Sequence, residues 1–310
     1  MGLRVALTGA TGFIGKQIQN ALLQAGFKIK CLNRRKSSVN SEYIEESLID
    51  LKSVESLRRA TSDVDAVIYV AGSVKGKTIS DFTVANVDGI QNICKALVTQ
   101  RKNTPVLLIS SLAASEPNLS SYSASKAAGE TALIASGHKE WTIFRPPAVY
   151  GQGDKELRSL FKLFKLGIIP AVAPLEQRLP FMEVTDLARA TVAWSLSVTR
   201  CQNKIYTLND GKNDGYNWYE IAEQISKRKP LFINIPFPFL DTISRVNLVA
   251  ARIFGYQPML SPGKVRELTH MNWKGDNSQL TLDTGWIPKI GLHQGVSNLF
   301  SSTRQNGVES

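Results

Sequence analysis

The stretch Thr8-Gly9-Ala10-Thr11-Gly12-Phe13-Ile14-Gly15 decides how this sequence folds. It follows a short apolar run, Leu3–Thr8, with the composition of a buried β-strand, and it leads into apolar residues at helical spacing. In such a unit the first glycine permits a tight turn, the second lets a pyrophosphate approach the backbone, and the third lets the helix pack closely. Phosphates then bind over the free N–H groups at the helix N-terminus. A glycine pattern alone is weak evidence, but this context predicts a dinucleotide-binding turn.

Short apolar runs and helical patterns alternate through the first half of the chain. This alternation is typical of strands buried on both faces of a parallel sheet, and it predicts an α/β fold with a doubly wound parallel sheet. The predicted strands are Leu3–Thr8, Phe27–Leu32, Ala66–Val70, Val106–Ser110 and Trp141–Phe144, and the predicted helices are Phe13–Ala25, Lys52–Arg59, Phe82–Gln100 and Ser121–Ala135.

The pattern becomes less regular after Gly151. We therefore predict that residues 1–150 form a dinucleotide-binding domain. Residues 151–310 are predicted to form a smaller, mostly helical substrate cap, with segments near 184–210 that return to the main sheet. The predicted elements are helices at Lys155–Leu166, Asp186–Ser197, Trp218–Lys227, Leu240–Phe254 and Gly263–Leu268, and a strand near Ile205–Leu208.

The residues after the second predicted strand bear on the choice between NAD and NADP. NAD sites usually place an acidic residue there to bind the ribose 2′-hydroxyl, whereas NADP sites use Arg. Here Asn33, Arg34, Arg35 and Lys36 follow in a row, and Arg34 can bind a 2′-phosphate through two hydrogen bonds. We expect NADP(H) to be preferred, with NAD(H) as the alternative; a solvated basic turn would have the same sequence. Asp50 is placed either to meet the adenine amino group or to cap the next helix.

A tyrosine and a lysine four residues apart begin the helix predicted at Ser121–Ala135. The spacing of Tyr122 and Lys126 puts both side chains on one face. A phenol has a reference pKa of ~10, and a nearby ammonium group favours the phenolate and lowers that pKa. Ser111 ends the fourth predicted strand, where a parallel sheet presents its carboxyl ends to ligands. The three residues together predict an acid/base site, although a Tyr–Lys pair alone is common on helix surfaces.

These motifs resemble those of the extended short-chain dehydrogenase/reductase superfamily, which includes the NAD-dependent epimerases and dehydratases. The order and spacing of the shared features make the resemblance specific, and it spans nearly the whole chain. It rests on residues 8–15, Asn86 within 85–89, Ser110-Ser111, Tyr122 with Lys126, the run Arg-Pro-Pro-Ala-Val-Tyr-Gly at 145–151, Val184-Thr185-Asp186, and Pro288 with residues 292–295. The resemblance implies a Rossmann domain followed by a C-terminal substrate cap.

The resemblance also implies roles for individual residues. Tyr122 would act as the acid/base, Lys126 would lower its pKa and bind the nicotinamide ribose, and Ser111, rather than Ser110, would orient the substrate. Asn86 would support the backbone of the active site. The residues implied in cofactor binding are Gly9, Thr11, Gly12, Phe13, Ile14, Asn33, Arg34, Arg35, Asp50, Leu51, Ala71, Gly72, Asn86, Lys126, Pro146 and Val149.

Within the superfamily, the sequence favours the hydroxysteroid dehydrogenase and dihydroflavonol reductase branch. We expect hydride transfer between NADP(H) and a carbonyl or secondary alcohol. The alternative is a nucleotide-sugar 4-epimerase or dehydratase that holds NAD tightly. Such enzymes often carry an Arg and a His where this chain has Leu179 and Glu183. A second alternative is a non-catalytic cofactor-sensing or assembly protein on the same fold, but such members typically lack the Tyr or the Lys.

Composition and charge narrow the possible partners. The 310 residues are 43% hydrophobic and 20% charged, an ordinary globular composition, and the net charge of +11 favours an anionic partner. Three dispersed cysteines and three dispersed histidines predict neither a disulfide framework nor a metal site, and they favour a reducing, cytoplasmic location. No apolar run reaches ~18 residues, so we expect no membrane span. Basic clusters are not interleaved with aromatic residues, so we expect no nucleic-acid partner.

Two amphipathic stretches raise the question of surface contacts. Residues 155–165 combine an apolar face with a basic stripe. This pattern suits contact with a membrane surface or an acidic carrier, and it also suits a cap helix that packs its apolar face against the protein. We expect the packed cap helix. Residues 237–254 are apolar and aromatic. They could line a substrate channel or contact lipid, or they could form the ordinary hydrophobic core of the cap. We expect the cap core. By family analogy, the helices at 82–100 and 121–135 would form a homodimer interface.

Overall fold

The computed structural model describes residues 3–36, 42–76, 78–100, 103–258 and 260–305, with side chains described as far as Ser301. Within these residues, seven parallel strands form the central sheet and two further pairs of parallel strands lie outside it. In chain order the strands are β1 (Arg4–Thr8), β2 (Lys28–Asn33), β3 (Ile44–Leu48), β4 (Ala66–Tyr69), β5 (Val106–Ile109), β6 (Trp141–Arg145), β7 (Ala148–Tyr150), β8 (Ile168–Ala171), β9 (Phe181–Glu183), β10 (Lys204–Thr207) and β11 (Leu231–Asn234).

The order of the central sheet is β10-β6-β5-β4-β1-β2-β3, which is a Rossmann arrangement. Strand β1 lies between β2 and β4, with Val5 opposite both Ile29 and Ala66. The chain leaves β1 toward β2 and β3 and then returns to β4, so the strand order reverses at this point. Ligands of such sheets bind at the carboxyl ends of the strands beside the reversal. The doubly wound fold predicted from the sequence is therefore confirmed.

Helices cover both faces of the sheet, as the alternating pattern predicts. In chain order they are α1 (Phe13–Gln24), α2 (Val54–Ala60), α3 (Ser80–Thr83), α4 (Gly89–Thr99), α5 (Ser121–Ile134), α6 (Leu157–Lys165), α7 (Val184–Leu196), α8 (Val198–Cys201), α9 (Trp218–Ile225), α10 (Phe237–Phe254), α11 (Pro262–Thr269), α12 (Ser278–Thr284) and α13 (Leu292–Gln305). A π-helical turn (Val84–Asp88) joins α3 to α4, so the single helix predicted for Phe82–Gln100 is interrupted. A 3₁₀ turn (Leu112–Ser115) follows β5.

Each face of the sheet has its own hydrophobic core. Helices α1 and α7 cover one face, where Ile18 and Trp194 are fully buried, and α2, α4 and α5 cover the other. Helix α7 and strand β10 come late in the chain, yet both belong to this sheet, because β10 pairs with β6 through Ile205 and Ile143. Both elements therefore extend the sheet layer with residues that follow Gly151 in the chain.

A third core belongs to the C-terminal part of the chain. Phe161 and Phe164 of α6 are buried in it, so the expectation that this helix packs one face is confirmed. The region also contains the pairs β7–β9 and β8–β11, which a mostly helical prediction omits. Helix α13 was not predicted, since Gly295 weakens its helical pattern; a side chain there would collide with the Tyr150 ring.

Among the described residues, no helix is both long enough and apolar enough to cross a membrane.

Candidate active site

The glycine turn lies at the carboxyl end of β1 and has the conformation expected of it. Gly9 has φ +69°, which favours glycine, and a Cβ there would lie 2.9 Å from the Ala71 nitrogen. A Cβ on Gly15 would lie 2.0 Å from the Gly9 carbonyl oxygen, so only glycine lets α1 pack this closely on the turn. These two glycines are therefore required by the close packing of the turn, as predicted.

The N-terminus of α1 has no side-chain cap and can therefore bind an anionic group. Gly12 is the residue that precedes the helix. The first N–H groups of a helix have no intrahelical partner and favour a phosphate. Thr11 is exposed beside them, and Phe13 and Ile14 are half-buried in the first turn. The uncapped helix end and the bare glycine turn together fit a dinucleotide pyrophosphate.

The ends of β1 and β4 are tied together beside the turn. The Thr8 Oγ1 atom accepts hydrogen bonds from the Val70 and Ala71 nitrogens, both at 3.0 Å. Ala71 therefore lies directly against the glycine turn, at the point where the strand order reverses. This is the edge of the sheet at which the sequence predicts the cofactor.

The basic residues after β2 lie at the same carboxyl edge of the sheet as the glycine turn, because β2 is the parallel neighbour of β1. Arg34 and Arg35 are exposed, and Asn33 is buried with its Nδ2 atom donating to the Glu46 Oε1 atom at 3.1 Å. The sequence run contains no carboxylate, but strand β3 brings one beside it. That strand was missed because it is a short edge strand with exposed and half-exposed residues, including Glu45 and Glu46.

Asp50 does not cap the following helix, so that reading of the sequence is wrong. Helix α2 is capped by Ser53, which accepts a hydrogen bond from the Ser56 nitrogen at 3.2 Å. The exposed Asp50 carboxylate accepts from the Lys52 nitrogen at 2.9 Å. Leu51 beside it is buried, and its carbonyl oxygen accepts from Asn92.

Helix α5 presents Tyr122 and Lys126 toward the carboxyl edge of the sheet. Ser120 caps the helix, accepting from the Ser123 nitrogen at 2.9 Å, so Tyr122 lies in its first turn and Lys126 one turn later. The Tyr122 hydroxyl lies close enough to the Ser111 side chain for that contact to lower the pKa of the phenol. The Lys126 ammonium group donates to the Ile109 carbonyl oxygen at 2.9 Å. The three candidate catalytic residues therefore meet at the end of β5.

The neighbouring Ser110 is engaged elsewhere. Its buried hydroxyl donates to the Glu130 Oε1 atom at 2.5 Å, and Arg145 binds the same carboxylate, with its Nε atom 3.0 Å from Oε1. A buried, paired carboxylate of this kind holds its partners firmly. The contacts therefore favour Ser111 over Ser110 as the serine available to a substrate.

Burial shifts the pKa of both titratable residues, and for Tyr122 the shift is opposite to the sequence prediction. Burial raises the pKa of Tyr122 to about 12, the contact with Ser111 lowers it, and the Glu267 and Glu156 charges raise it slightly. Burial lowers the pKa of Lys126 to about 8, against the opposing effect of Glu130. In the cofactor-free protein the phenol is thus protonated at neutral pH. The predicted lowering by Lys126 is absent because desolvation dominates.

Asn86 holds the surrounding backbone in place. Its Oδ1 atom accepts from the Ser73 nitrogen at 2.9 Å, and its Nδ2 atom donates to the Ser125 hydroxyl at 2.9 Å, so it links the loop after β4 to helix α5. It lies in the π-helical turn, a distortion often found at functional sites. A Cβ on Gly72 would lie 3.1 Å from the Asn86 Oδ1 atom and 3.8 Å from the Lys126 Nζ atom.

The segment after β6 closes the same edge of the sheet. Pro146 is buried, and its carbonyl oxygen accepts from the Leu112 nitrogen at 2.8 Å, next to Ser111. Val149 is half-buried in β7. Pro146 and Val149, the residues implied in nicotinamide contact, therefore come just after β6, the strand next to β5 in the sheet.

Helix α11 contacts the N-terminus of α5, which the sequence does not indicate. The buried Glu267 carboxylate accepts hydrogen bonds from the hydroxyls of Ser120 and Ser123, with its Oε1 atom 3.1 Å from the latter. The Arg266 Nε atom donates to the Leu119 carbonyl oxygen at 2.7 Å. No local motif marks Glu267, because its partners lie more than 140 residues earlier in the chain.

Replacing Glu267 by Ala should destabilise the contact between α11 and α5. The substitution removes a charged acceptor from two buried hydroxyls, and hydrogen bonds to charged groups are worth about 1.5–3 kcal/mol. We expect the free energy of unfolding to fall by about 2 kcal/mol in a urea titration. Glu267→Gln, which keeps one acceptor oxygen, should lose less. An unchanged midpoint in Glu267→Ala would show that this contact contributes nothing to stability.

The sheet order and the glycine turn define a dinucleotide-binding protein of the Rossmann type, and sequence comparisons assign it more closely. The chain belongs to the NAD dependent epimerase/dehydratase family, whose sequence model matches residues 5–207. It is 33% identical to the ceramide reductase of Caulobacter vibrioides, over 98% of this chain and 95% of that protein. It is 22% identical to the 2-alkyl-3-oxoalkanoate reductase of Stenotrophomonas maltophilia, over 97% and 99% of the two chains. With the family, these full-length relatives make the chain an enzyme of the oxidoreductase class.

Solved structures agree with this assignment at the level of the fold. MoeE5, solved in complex with UDP-glucuronic acid and NAD, matches with a TM-score of 0.71 at 20% identity, covering 98% of this chain and 99% of that one. At this identity the match supports the Rossmann fold alone.

Proposed function

We propose that this enzyme reduces a carbonyl group to a secondary alcohol, with Ser111, Tyr122 and Lys126 as its catalytic residues. The observation that carries the proposal is the placement of Tyr122 near Ser111 at the end of β5, with the buried Lys126 ammonium group one helical turn further on and bonded to the Ile109 carbonyl oxygen. Proton transfer by a positioned side chain typically accelerates a reaction 10²–10⁴-fold.

In this proposal, each of the three residues has a role that follows from its position. The Ser111 hydroxyl holds the carbonyl oxygen of the substrate beside the phenol. Tyr122 donates its proton to that oxygen, and the raised pKa keeps the phenol protonated and ready at neutral pH. A nicotinamide held over the glycine turn would supply the hydride to the carbonyl carbon, so the product would be the alcohol. Lys126 binds the cofactor ribose and, while charged, stabilises the phenolate left behind.

We propose that the substrate is a ketone on a long-chain lipid, accommodated by a cap formed from the parts of residues 151–310 that lie outside the sheet segments α7 and β10. The support is the ceramide reductase of C. vibrioides, which is related over nearly the full length of both chains. The chain also departs from nucleotide-sugar enzymes at Leu179 and Glu183. The structure gives Leu179 a backbone role, pairing with Tyr216 in an isolated bridge.

A turnover assay separates the proposed reduction from an epimerase or dehydratase reaction. Purified enzyme is mixed with NADPH and the ketone corresponding to a ceramide, and NADPH absorbance and lipid product are followed together. We expect one NADPH consumed for each alcohol formed. Conversion of a UDP-sugar with no net consumption of nicotinamide cofactor, together with inactivity on the ketone, would contradict the proposal.

We propose that NADP(H) is preferred over NAD(H) because Arg34 and Arg35 are exposed at the end of β2. Arg34→Asp should weaken NADP⁺ binding about 100-fold, since it removes charged hydrogen bonds to the 2′-phosphate and adds a repulsive carboxylate. Binding of NAD⁺ should change much less. Calorimetry gives the dissociation constants of the wild type and of Arg34→Asp for NADP⁺ and for NAD⁺.

The control for Arg34→Asp is Lys139→Asp, which makes the same change of net charge at an exposed residue before β6. It should leave both affinities unchanged. If the wild-type enzyme binds NAD⁺ more tightly than NADP⁺, the cofactor proposal is wrong.

A further inference from the structure

Helix α10 exposes apolar side chains on the side that faces away from the protein. Its buried residues are Ser244 and Ala251, seven positions apart and so on one face. Phe239, Val246 and Ile253 share the same spacing and are 59%, 64% and 72% exposed. The two rows are offset by two positions, about 200° around the helix. The expectation that residues 237–254 form an ordinary cap core is therefore wrong: the helix is packed along a narrow stripe, and its outer face is apolar.

The exposed apolar residues are concentrated around this helix. Residues 231–256 contain 10 of the 25 large apolar side chains that are exposed in the described chain. Besides Phe239, Val246 and Ile253, which form the outer row, the ten are Leu231, Ile233, Phe237, Ile243, Val249, Phe254 and Tyr256. Ile243 and Val249 lie three positions from Val246, about 60° from the outer row around the helix, and widen it into an apolar face of the kind that usually marks an interaction site.

Basic residues flank the apolar row. Arg245 and Arg252, both exposed, each stand one position before a member of it, about 100° away around the helix. The exposed run Lys227-Arg228-Lys229 precedes β11. Residues 227–256 thus contain five basic residues and one acidic residue. The acidic residue, Asp241, forms an ion pair with Arg245 at 2.7 Å. An apolar row beside cations suits helices that lie in the headgroup layer of an anionic membrane.

We propose that α10 is a docking surface for an anionic lipid bilayer, with the row Phe239, Val246 and Ile253 inserted among the lipids. Arg245 and Arg252, which flank that row on the helix, contact lipid phosphates. A second copy of the chain fits this surface poorly, because a symmetric contact would bring the same cations of both copies together. The proposal goes beyond the reductase activity and does not depend on it.

Vesicle sedimentation tests the proposal with purified full-length protein. We expect binding to vesicles of phosphatidylcholine with 30% phosphatidylglycerol, chosen as about a third anionic lipid, and much weaker binding to phosphatidylcholine alone. The double variant Val246→Asp/Ile253→Asp should bind at least tenfold more weakly. Arg245→Gln/Arg252→Gln should lose about fivefold per residue on anionic vesicles only. The control Leu282→Asp, at an equally exposed apolar position on α12, should bind as the wild type does.

Two further readouts keep the outcome decisive. Circular dichroism should show that all variants are folded, since the changed residues are exposed, and reduction of a short water-soluble ketone should be unchanged in them. No binding of the wild type to anionic vesicles would overturn the proposal. So would equal binding by wild type and Val246→Asp/Ile253→Asp, or light scattering that shows a dimer dissociated by that variant without vesicle binding.

Discussion

Tyr122→Phe should reduce turnover by about 10²–10⁴-fold, the usual contribution of a positioned proton donor. The change removes only the hydroxyl that lies near Ser111 and keeps the ring, which lies edge-on to Phe82 with centroids 6.1 Å apart. The fold and the glycine turn should be unaffected. We therefore expect the dissociation constant for the cofactor, measured by calorimetry, to stay within about twofold of the wild-type value.

Tyr219→Phe is the matched control, because it removes the same atom from an exposed tyrosine on α9. It should leave both turnover and cofactor binding unchanged. Wild-type turnover in Tyr122→Phe would mean that another group donates the proton, and the assignment of Ser111, Tyr122 and Lys126 would fail with it.

Lys126→Met should weaken cofactor binding about 10–100-fold, the worth of a charged hydrogen bond in a buried site. It should also change the pH dependence. Burial lowers the pKa of Lys126 to about 8, so the ammonium group is present below that pH and is lost above it. A dinucleotide is anionic, so wild-type affinity should decline as the pH rises through about 8. Lys126→Met should show no such step.

Lys126→Arg separates charge from geometry, because an arginine remains charged over the whole range. Its affinity should lack the step near pH 8 even if it is lower overall. A decline above pH 8 that persists in Lys126→Met would assign the titration to another group and contradict this role for the lysine.

The sequence was sufficient for the sheet and for the turn that organises it. The strands of a doubly wound sheet are buried on both faces, so they read as continuous apolar runs such as Ala66–Tyr69, and glycine is required where backbones touch, as at Gly9 and Gly15. The candidate site residues follow these elements at fixed distances, which made them recognisable. The edge strand β3 could not be predicted in this way, because its exposed residues, including Glu45, interrupt any apolar run.

Other features depend on contacts between distant parts of the chain. The raised pKa of Tyr122 comes from burial that only the assembled site produces, whereas the sequence suggested the opposite shift from the nearby lysine. Glu267 meets α5 through folding of the C-terminal region over the sheet. The apolar content of α10 was visible in the sequence, but its outward orientation was not. Composition predicts that a residue is apolar, and only the packing of neighbours decides whether it is covered.

The central claim is that the phenol of Tyr122 stands beside the nicotinamide of a dinucleotide bound over the glycine turn. A crystal structure of the enzyme with NADP⁺ and a substrate ketone tests it most directly. We expect the pyrophosphate over Gly12, and the ketone oxygen within hydrogen-bonding distance of Tyr122 and Ser111, with its carbon about 3–3.5 Å from the nicotinamide ring. A nicotinamide that points away from Tyr122 in the bound complex, with the ketone held by other residues, would contradict the account.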